Sequence, residues 1–380
     1  MTEQTSGSAH DVTAAAARTD RLVRAQSAAK AAGIDALLVT PGPDLMWLTG
    51  YDAVALERLT CLVLPADGEP CLVCPRLELS SAAASPAGEL GIELAPYEET
   101  EDPYELVSDR LGAPRVTGVA NRMWAEQVLR FRSTLPAEQV PASLVLADLR
   151  MRKDAAEVAA LRDAGQAIDR VHRRMPEFLR VGRSEREVGR LIAQAITEEG
   201  HDRVDFTIVA GGPNGASPHH ETGDRVLQSG DVVVVDIGGT NHAGYCSDCT
   251  RTYVLGEPPA EFRDYYAVLL AAQVAACELA RPGVTAESVD RAARDVIDKG
   301  GYGAAFLHRT GHGIGVETHE HPYIVEGNDT VLEPGMAFSI EPGIYLEGRH
   351  GARIEDIVVV TEDGIERLNT TDRDYIVLGG

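Results

Sequence analysis

Four acidic residues and one histidine recur in an order suited to hydrolytic chemistry: Asp236 and Asp248, then His312, then Glu341 and Glu355. Asp236 closes the apolar run Val232-Val233-Val234-Val235, and Glu341 closes Ala337-Phe338-Ser339-Ile340. A carboxylate at the end of a buried strand is costly unless it is paired or bound to a metal. Two carboxylates about 4 Å apart repel by about 4 kcal/mol at an effective dielectric of 20, so four gathered together need protons or cations. Two divalent ions would cancel all four charges. His312 lies within Gly311-His312-Gly313-Ile314-Gly315, where flanking glycines let the backbone pass close to an ion and leave the imidazole free to be aimed. A carboxylate-rich donor set with a single imidazole suits hard or borderline ions. Manganese is the first expectation, with cobalt, zinc and iron as alternatives. Metals paired about 3.5 to 4 Å apart clamp a nucleophilic water and polarise the carbonyl it attacks, so the expected reaction is hydrolysis of an amide.

The acids sit in a repeated frame. Asp224-Arg225-Val226-Leu227-Gln228-Ser229-Gly230 precedes Asp236, and Asp329-Thr330-Val331-Leu332-Glu333-Pro334-Gly335 precedes Glu341. Both read D-x-V-L-x-x-G, and in each a second acid follows one hairpin later, at Asp248 or Glu355. Helical patterns come before each copy. Val158, Leu161, Ala164, Ile168, Val171 and Met175 fall on one face of a first helix, and Ser184 with Glu187 forms a capping box for a second that stops near Gly200. Strands are expected over 204–210, 232–237 and 245–255, followed by helices over 261–280 and 286–299 with Pro282-Gly283 between them. Two copies of helix, helix and strands predict a pseudo-twofold unit with the carboxylates at its seam.

At 380 residues, with 44% hydrophobic content, the chain is long enough for two cores. The expected boundary lies near residue 150, where Arg150, Arg152 and Lys153 precede the first long helix, which gives domains over 19–150 and 151–380. The first of these opens with a helix over 19–32, a stop at Gly33 and an apolar run over 34–39, with further strand-like runs over 59–64, 71–74 and 92–94. That alternation reads as an α/β domain. Residues 1–18 are rich in Ala, Thr and Ser and lack the basic start and apolar stretch of a secretory signal, so a disordered tail and a cytoplasmic protein are expected. A formal charge of -24 argues against nucleic acid or an anionic membrane as partner. Six cysteines include two C-x-x-C pairs, Cys71/Cys74 and Cys246/Cys249. In strands, residues three apart face opposite ways, so small buried hydrophobes are expected there rather than a zinc site.

The ordered motifs Val-Asp-Ile-Gly-Gly, Tyr-Cys-Ser-Asp-Cys-Thr-Arg-Thr, Gly-His-Gly-Ile-Gly, Ile-Glu-Pro-Gly-Ile-Tyr and Arg-Ile-Glu-Asp resemble those of the pita-bread metallopeptidases. The resemblance is to the Xaa-Pro dipeptidase and aminopeptidase P branch. Gly33-Ile34-Asp35-Ala36-Leu37-Leu38 and Leu48-Thr49-Gly50-Tyr51 resemble the creatinase-like amino-terminal domain that accompanies this branch. The implied fold is a creatinase-like α/β domain followed by a pseudo-twofold α+β catalytic domain. The resemblance further implies that Asp236 chelates one metal, that Asp248 and Glu355 bridge two, and that His312 and Glu341 complete the second. It places His219 and His319 beside the substrate carbonyl, makes Glu341 the general base, and has Arg353 steady Glu355 and the carboxylate network. Asp236 to Asp248 spans one residue more than the family's usual spacing, which a longer hairpin tip around Asn241 and Gly244 would absorb. Tyr323 stands where some Xaa-Pro dipeptidases carry an arginine for the free carboxylate of proline, leaving Arg349 or Arg353 as substitutes. The implied activity is cleavage of small peptides with proline in second position, dipeptides first, by a homodimer. Aminopeptidase P is the alternative, and a metal-free amidinohydrolase or binding protein of this fold a remote one.

Overall fold

The computed structural model describes residues 9–379, and the chain divides between Arg150 and Met151 into two compact units. In the first, a six-stranded sheet runs in the order Glu93–Tyr97, Cys71–Pro75, Cys61–Pro65, Ala36–Val39, Val116–Val119, Glu138–Pro141. The strand Ala36–Val39 pairs antiparallel with Cys61–Pro65 and parallel with Val116–Val119, and helices such as Pro103–Leu111 and Ala125–Thr134 connect the strands. This is the mixed α/β arrangement the sequence predicts. One expectation fails at its amino end. The helix Ala9–Ala31 takes in residues 9–18 of the expected disordered tail, because the alanine run there carries high helix propensity. Residues 1–8 of that tail lie outside the described residues.

The second unit contains the frame for the acids. Asp154 with Glu157, and Ser184 with Glu187, form reciprocal capping boxes at the starts of Ala155–Arg173 and Glu185–Glu198. Ile168, Val171, Val188 and Ile192 from these helices pack on Val209, Val233 and Val235 of a four-stranded sheet ordered Ile376–Leu378, Cys249–Leu255, Val232–Asn241, His201–Gly211. Leu269, Ala272, Val289 and Ile297 of Phe262–Leu279 and Ala286–Lys299 pack likewise on Phe338, Ile340 and Val358. Those residues belong to a five-stranded sheet ordered Glu320–Ile324, Gly311–Gly313, Ala337–Ile340, Asp356–Val360, Ile365–Arg367.

The repeated D-x-V-L-x-x-G segments have equivalent hydrogen bonds. Leu227 accepts from the amide of Gly182 and donates to Arg183, while Leu332 accepts from Gly283 and donates to Val284. Ser184 bridges Val226 as Thr285 bridges Val331. The pseudo-twofold relation is therefore present in the backbone. The expected strand over 245–255 begins only at Cys249. Residues 245–248 leave the regular ladder, with Cys246 donating to Gly315 and Ser247 to Gly239, so Asp248 enters the site from irregular backbone.

Candidate active site

Each of the five expected donors stands at a strand or at its end. Asp236 is within Val232–Asn241, opposite Ile208 on one side and Thr250 on the other. Asp248 immediately precedes Cys249–Leu255, Glu341 follows Ala337–Ile340, and Glu355 lies between His350–Arg353 and Asp356–Val360. His312 is the central residue of Gly311–Gly313, and a Cβ at Gly313 would collide with the carbonyl oxygen of His321. Glycine is thus required there by close backbone approach.

These side chains converge. Donor atoms of Asp236, Asp248 and Glu355 lie within 4.8 Å of one another, as do those of His312, Glu341 and Glu355. These two groups share Glu355, and a third, Asp248 with His312 and His319, overlaps both, with Asp248 3.6 Å from His312 Nε2. Asp248, His312 and Glu355 are almost wholly buried, and the Glu341 side chain is 14% exposed. Burial, then repulsion from Glu355 and the other acids, pushes the Asp248 carboxyl well above the usual range, and burial with repulsion from Glu341 does the same to Glu355. Burial also works against an ionised Glu341, but the hydrogen bond and charge of His312 outweigh it and hold that carboxyl at about 2.

The donor set fits two cations on further grounds. Asp236 Oδ1 and Glu355 Oε1 are buried without a hydrogen-bond partner among the described residues. Such orphaned carboxylate oxygens are expensive unless an ion or water meets them. His312 Nδ1 lies 3.1 Å from the carbonyl of Gly313, which keeps a proton on that nitrogen and turns Nε2, the ligand atom of the neutral ring, toward Glu341 Oε1 at 3.2 Å. In the metal-free chain a proton on Nε2 stands between the ring and the carboxylates and supplies the hydrogen bond and charge that lower Glu341, and a metal ion would take that proton's place.

Arg353 is buried and fully engaged. It donates through Nη2 to Asp236 Oδ2 at 2.6 Å and through Nε to Thr250 Oγ1 at 3.0 Å, and Thr250 in turn donates to Glu355 Oε2 at 2.7 Å. It therefore reaches Glu355 through Thr250, while its direct carboxylate contact is Asp236. Its Nη1 donates to the Tyr345 hydroxyl, which lies 2.8 Å from His308 Nε2. The sequence reading passed over His308 and Tyr345. Neither shares a continuous strand with His312 or Glu341, so no strand spacing marked them in the sequence.

His319 and His219 are exposed. The His319 ring lies 4.0 Å from that of His312. Surrounding protein displaces enough water from it, and His312 and Arg309 add enough positive charge, to hold its imidazole down to about 4 despite the open edge. It is therefore neutral at neutral pH. His219 sits on a loop anchored by the fully buried Glu185, which accepts from the amides of Gly211 and Gly223 and from Asn214 Nδ2, and lies 2.8 Å from His220 Nε2. His220 thus holds the loop of its neighbour His219. Arg309 places its guanidinium 4.3 Å from the Tyr323 ring centroid, and Tyr323 is the strand partner of His312. Among the described residues no carboxylate pairs with Arg309, whereas Arg349 is held 3.1 Å from Glu261. The six cysteines are free thiols, and none joins a candidate metal group among the described residues.

Residues 159–362 match the metallopeptidase family M24, and residues 21–152 match the creatinase/prolidase N-terminal domain. The chain belongs to metallopeptidase family M24. Among M24 relatives, the chain is 55% identical to the protein named "Probable dipeptidase PepE" of Mycobacterium tuberculosis over 359 residues, covering 94% of this chain and 96% of that one. It is 38% identical over 346 residues to an Xaa-Pro dipeptidase of Lactobacillus helveticus, covering 88% of this chain and 92% of the relative. The crystal structure of dipeptidase PepE from Mycobacterium ulcerans superposes with a TM-score of 0.93 at 52% identity, covering 96% of this chain and 99% of that one. The M24 membership makes this protein a metal-dependent peptidase. No helix among the described residues is long and apolar enough to cross a membrane.

Proposed function

We propose that the protein hydrolyses the Xaa-Pro bond of dipeptides, using two divalent ions held by Asp236, Asp248, His312, Glu341 and Glu355, with Asp248 and Glu355 shared between them. The observation that carries the metal reading is the pair of overlapping donor groups with two orphaned carboxylate oxygens buried in them. Two ions bound there would supply Lewis acidity toward the scissile carbonyl and an acidified water as nucleophile. Glu341, its carboxylate held low and open at one edge, would take a proton from the attacking water and return it to the leaving proline nitrogen. Neutral His319 donates a hydrogen bond to the developing oxyanion, with His219 on its loop assisting. Arg353 holds Asp236 in place by a direct ion pair and, through Thr250, keeps Glu355 oriented.

Dipeptide preference requires a cation for the terminal carboxylate, since burying that charge alone is costly. Arg349 is tied to Glu261 and Arg353 is tied within the acid cluster, so neither expected substitute is available. Arg309, lying over Tyr323, supplies positive charge where Tyr323 itself offers only a hydroxyl. The reading is supported by the Xaa-Pro dipeptidase activity named for the Lactobacillus helveticus relative. Manganese is the metal of choice for this donor chemistry. A homodimer working in the cytoplasm completes the proposal.

The deciding experiment strips the metals, reloads manganese, and compares Xaa-Pro dipeptides with Xaa-Pro-Yaa tripeptides. Faster cleavage of dipeptides is expected, and Arg309→Ala should raise KM for dipeptides while sparing dipeptide amides. Preference for tripeptides would move the protein to the aminopeptidase P activity. Failure to hydrolyse either substrate with both ions bound would refute the proposal. Elemental analysis and light scattering on the purified protein test the metal and the dimer.

A further inference from the structure

A buried ion pair lies outside the carboxylate cluster. Lys153 Nζ donates to Glu320 Oε1 at 2.6 Å, with the two side chains only 1% and 7% exposed. We propose that Lys153 is a positioning residue for His319, acting by holding Glu320 at the end of the loop that leaves His312. This rests on the proposed role of His319 at the substrate.

The strand register explains why such an anchor is needed. His312 pairs with Tyr323, but Gly313 pairs with Glu320, so the slip bulges His321 and Pro322 out of the ladder and leaves residues 314–319 as the loop that joins the two strands. His319 is the last residue of that loop and has no ladder bond to fix it. The carboxylate of Glu320 lies against the start of the loop: a Cβ on Gly315 would stand 2.7 Å from its Oε1. Gly315 in turn accepts from the amide of Cys246 at 2.8 Å, two residues before Asp248. On the other side, the Lys153 amide donates to the Gly335 carbonyl at 2.9 Å, just before the strand Ala337–Ile340 that leads into Glu341. Lys153 therefore ties the frame of Glu341 to the end of the loop that carries His319. A charge buried at this place cannot be left alone, which couples the two side chains as a unit.

The test is a four-protein cycle on the full chain loaded with manganese: parent, Lys153→Met, His319→Ala and the double variant. Displacing a catalytic group by about 1 Å can cost up to ~100-fold in rate. Lys153→Met should therefore lower kcat by about 10- to 100-fold with both metals retained and KM little changed, and Lys153→Arg should restore most of the rate. In the His319→Ala background the same substitution should cause no further loss. An equal loss in both backgrounds would make Lys153 a general support of the fold and overturn the proposal. If Lys153→Met does not fold, the charge-free pair Lys153→Met with Glu320→Gln replaces it in the cycle. His319→Ala with parental turnover would instead overturn the role of His319 itself, an outcome read from a different protein of the set.

Discussion

Thr250→Val tests how the acid cluster is held in its ionised form. Thr250 is fully buried, donates to Glu355 Oε2 at 2.7 Å and accepts from Arg353 Nε at 3.0 Å. Valine matches its shape but removes both bonds, each involving a charged group and each contributing about 1.5–3 kcal/mol. Metal binding requires Glu355 ionised, while the metal-free protein can relieve the loss by protonating it, because burial and repulsion already push that carboxyl upward. Much of the deficit should therefore appear as weaker metal binding. A neighbour of a metal ligand typically accounts for about 10- to 100-fold in affinity, or about 1.4–2.7 kcal/mol, within the range of one such bond. Isothermal titration of manganese into the stripped proteins at one pH reads this directly. Turnover at saturating manganese should recover most of its parental value, and Thr250→Ser, which keeps the hydroxyl, should bind as the parent does. A Thr250→Val protein with native circular dichroism and a Kd within about twofold of the parent would refute the reasoning, leaving the charge of Glu355 to be set by the other acids.

Asp248→Asn should abolish activity and lower metal content below two ions per chain, because its one carboxylate faces both donor groups; elemental analysis with two ions and full turnover would remove it as a bridge. Tyr345→Phe should lower the midpoint of thermal unfolding while leaving both metals in place, since Arg353 loses one acceptor but keeps Asp236. His172 is buried between the Tyr253 hydroxyl and the Cys249 carbonyl, and burial with the charge of Arg251 pushes its imidazole from 6.5 down to about 3. The unfolded chain therefore takes up that proton first as pH falls, so the contribution is whole above about pH 6.5 and is lost toward pH 3, at about 1.4 kcal/mol per unit. His172→Gln should flatten the pH dependence of the urea midpoint of the metal-free protein over that window, and an unchanged slope would show that other groups dominate.

What the sequence determined by itself was the set of acids and their frame. An acid at the end of each apolar run, repeated after D-x-V-L-x-x-G, is a local pattern, and local pattern decides strand ends, turns and caps such as Ser184 with Glu187. The glycines flanking His312 were legible for the same reason. The helical start of the described chain at Ala9 was local too, and composition read as disorder concealed it. Tertiary structure alone decided which side chains meet. Arg353 reaches Glu355 through Thr250 and not directly, a route that depends on the register between Asp236 and Thr250. His308 and Tyr345 join the network, and Glu185 and Lys153 hold loops, because segments distant in the chain bring buried charges together. A buried charge must be satisfied by whatever partner the fold delivers, and no spacing along the sequence names that partner.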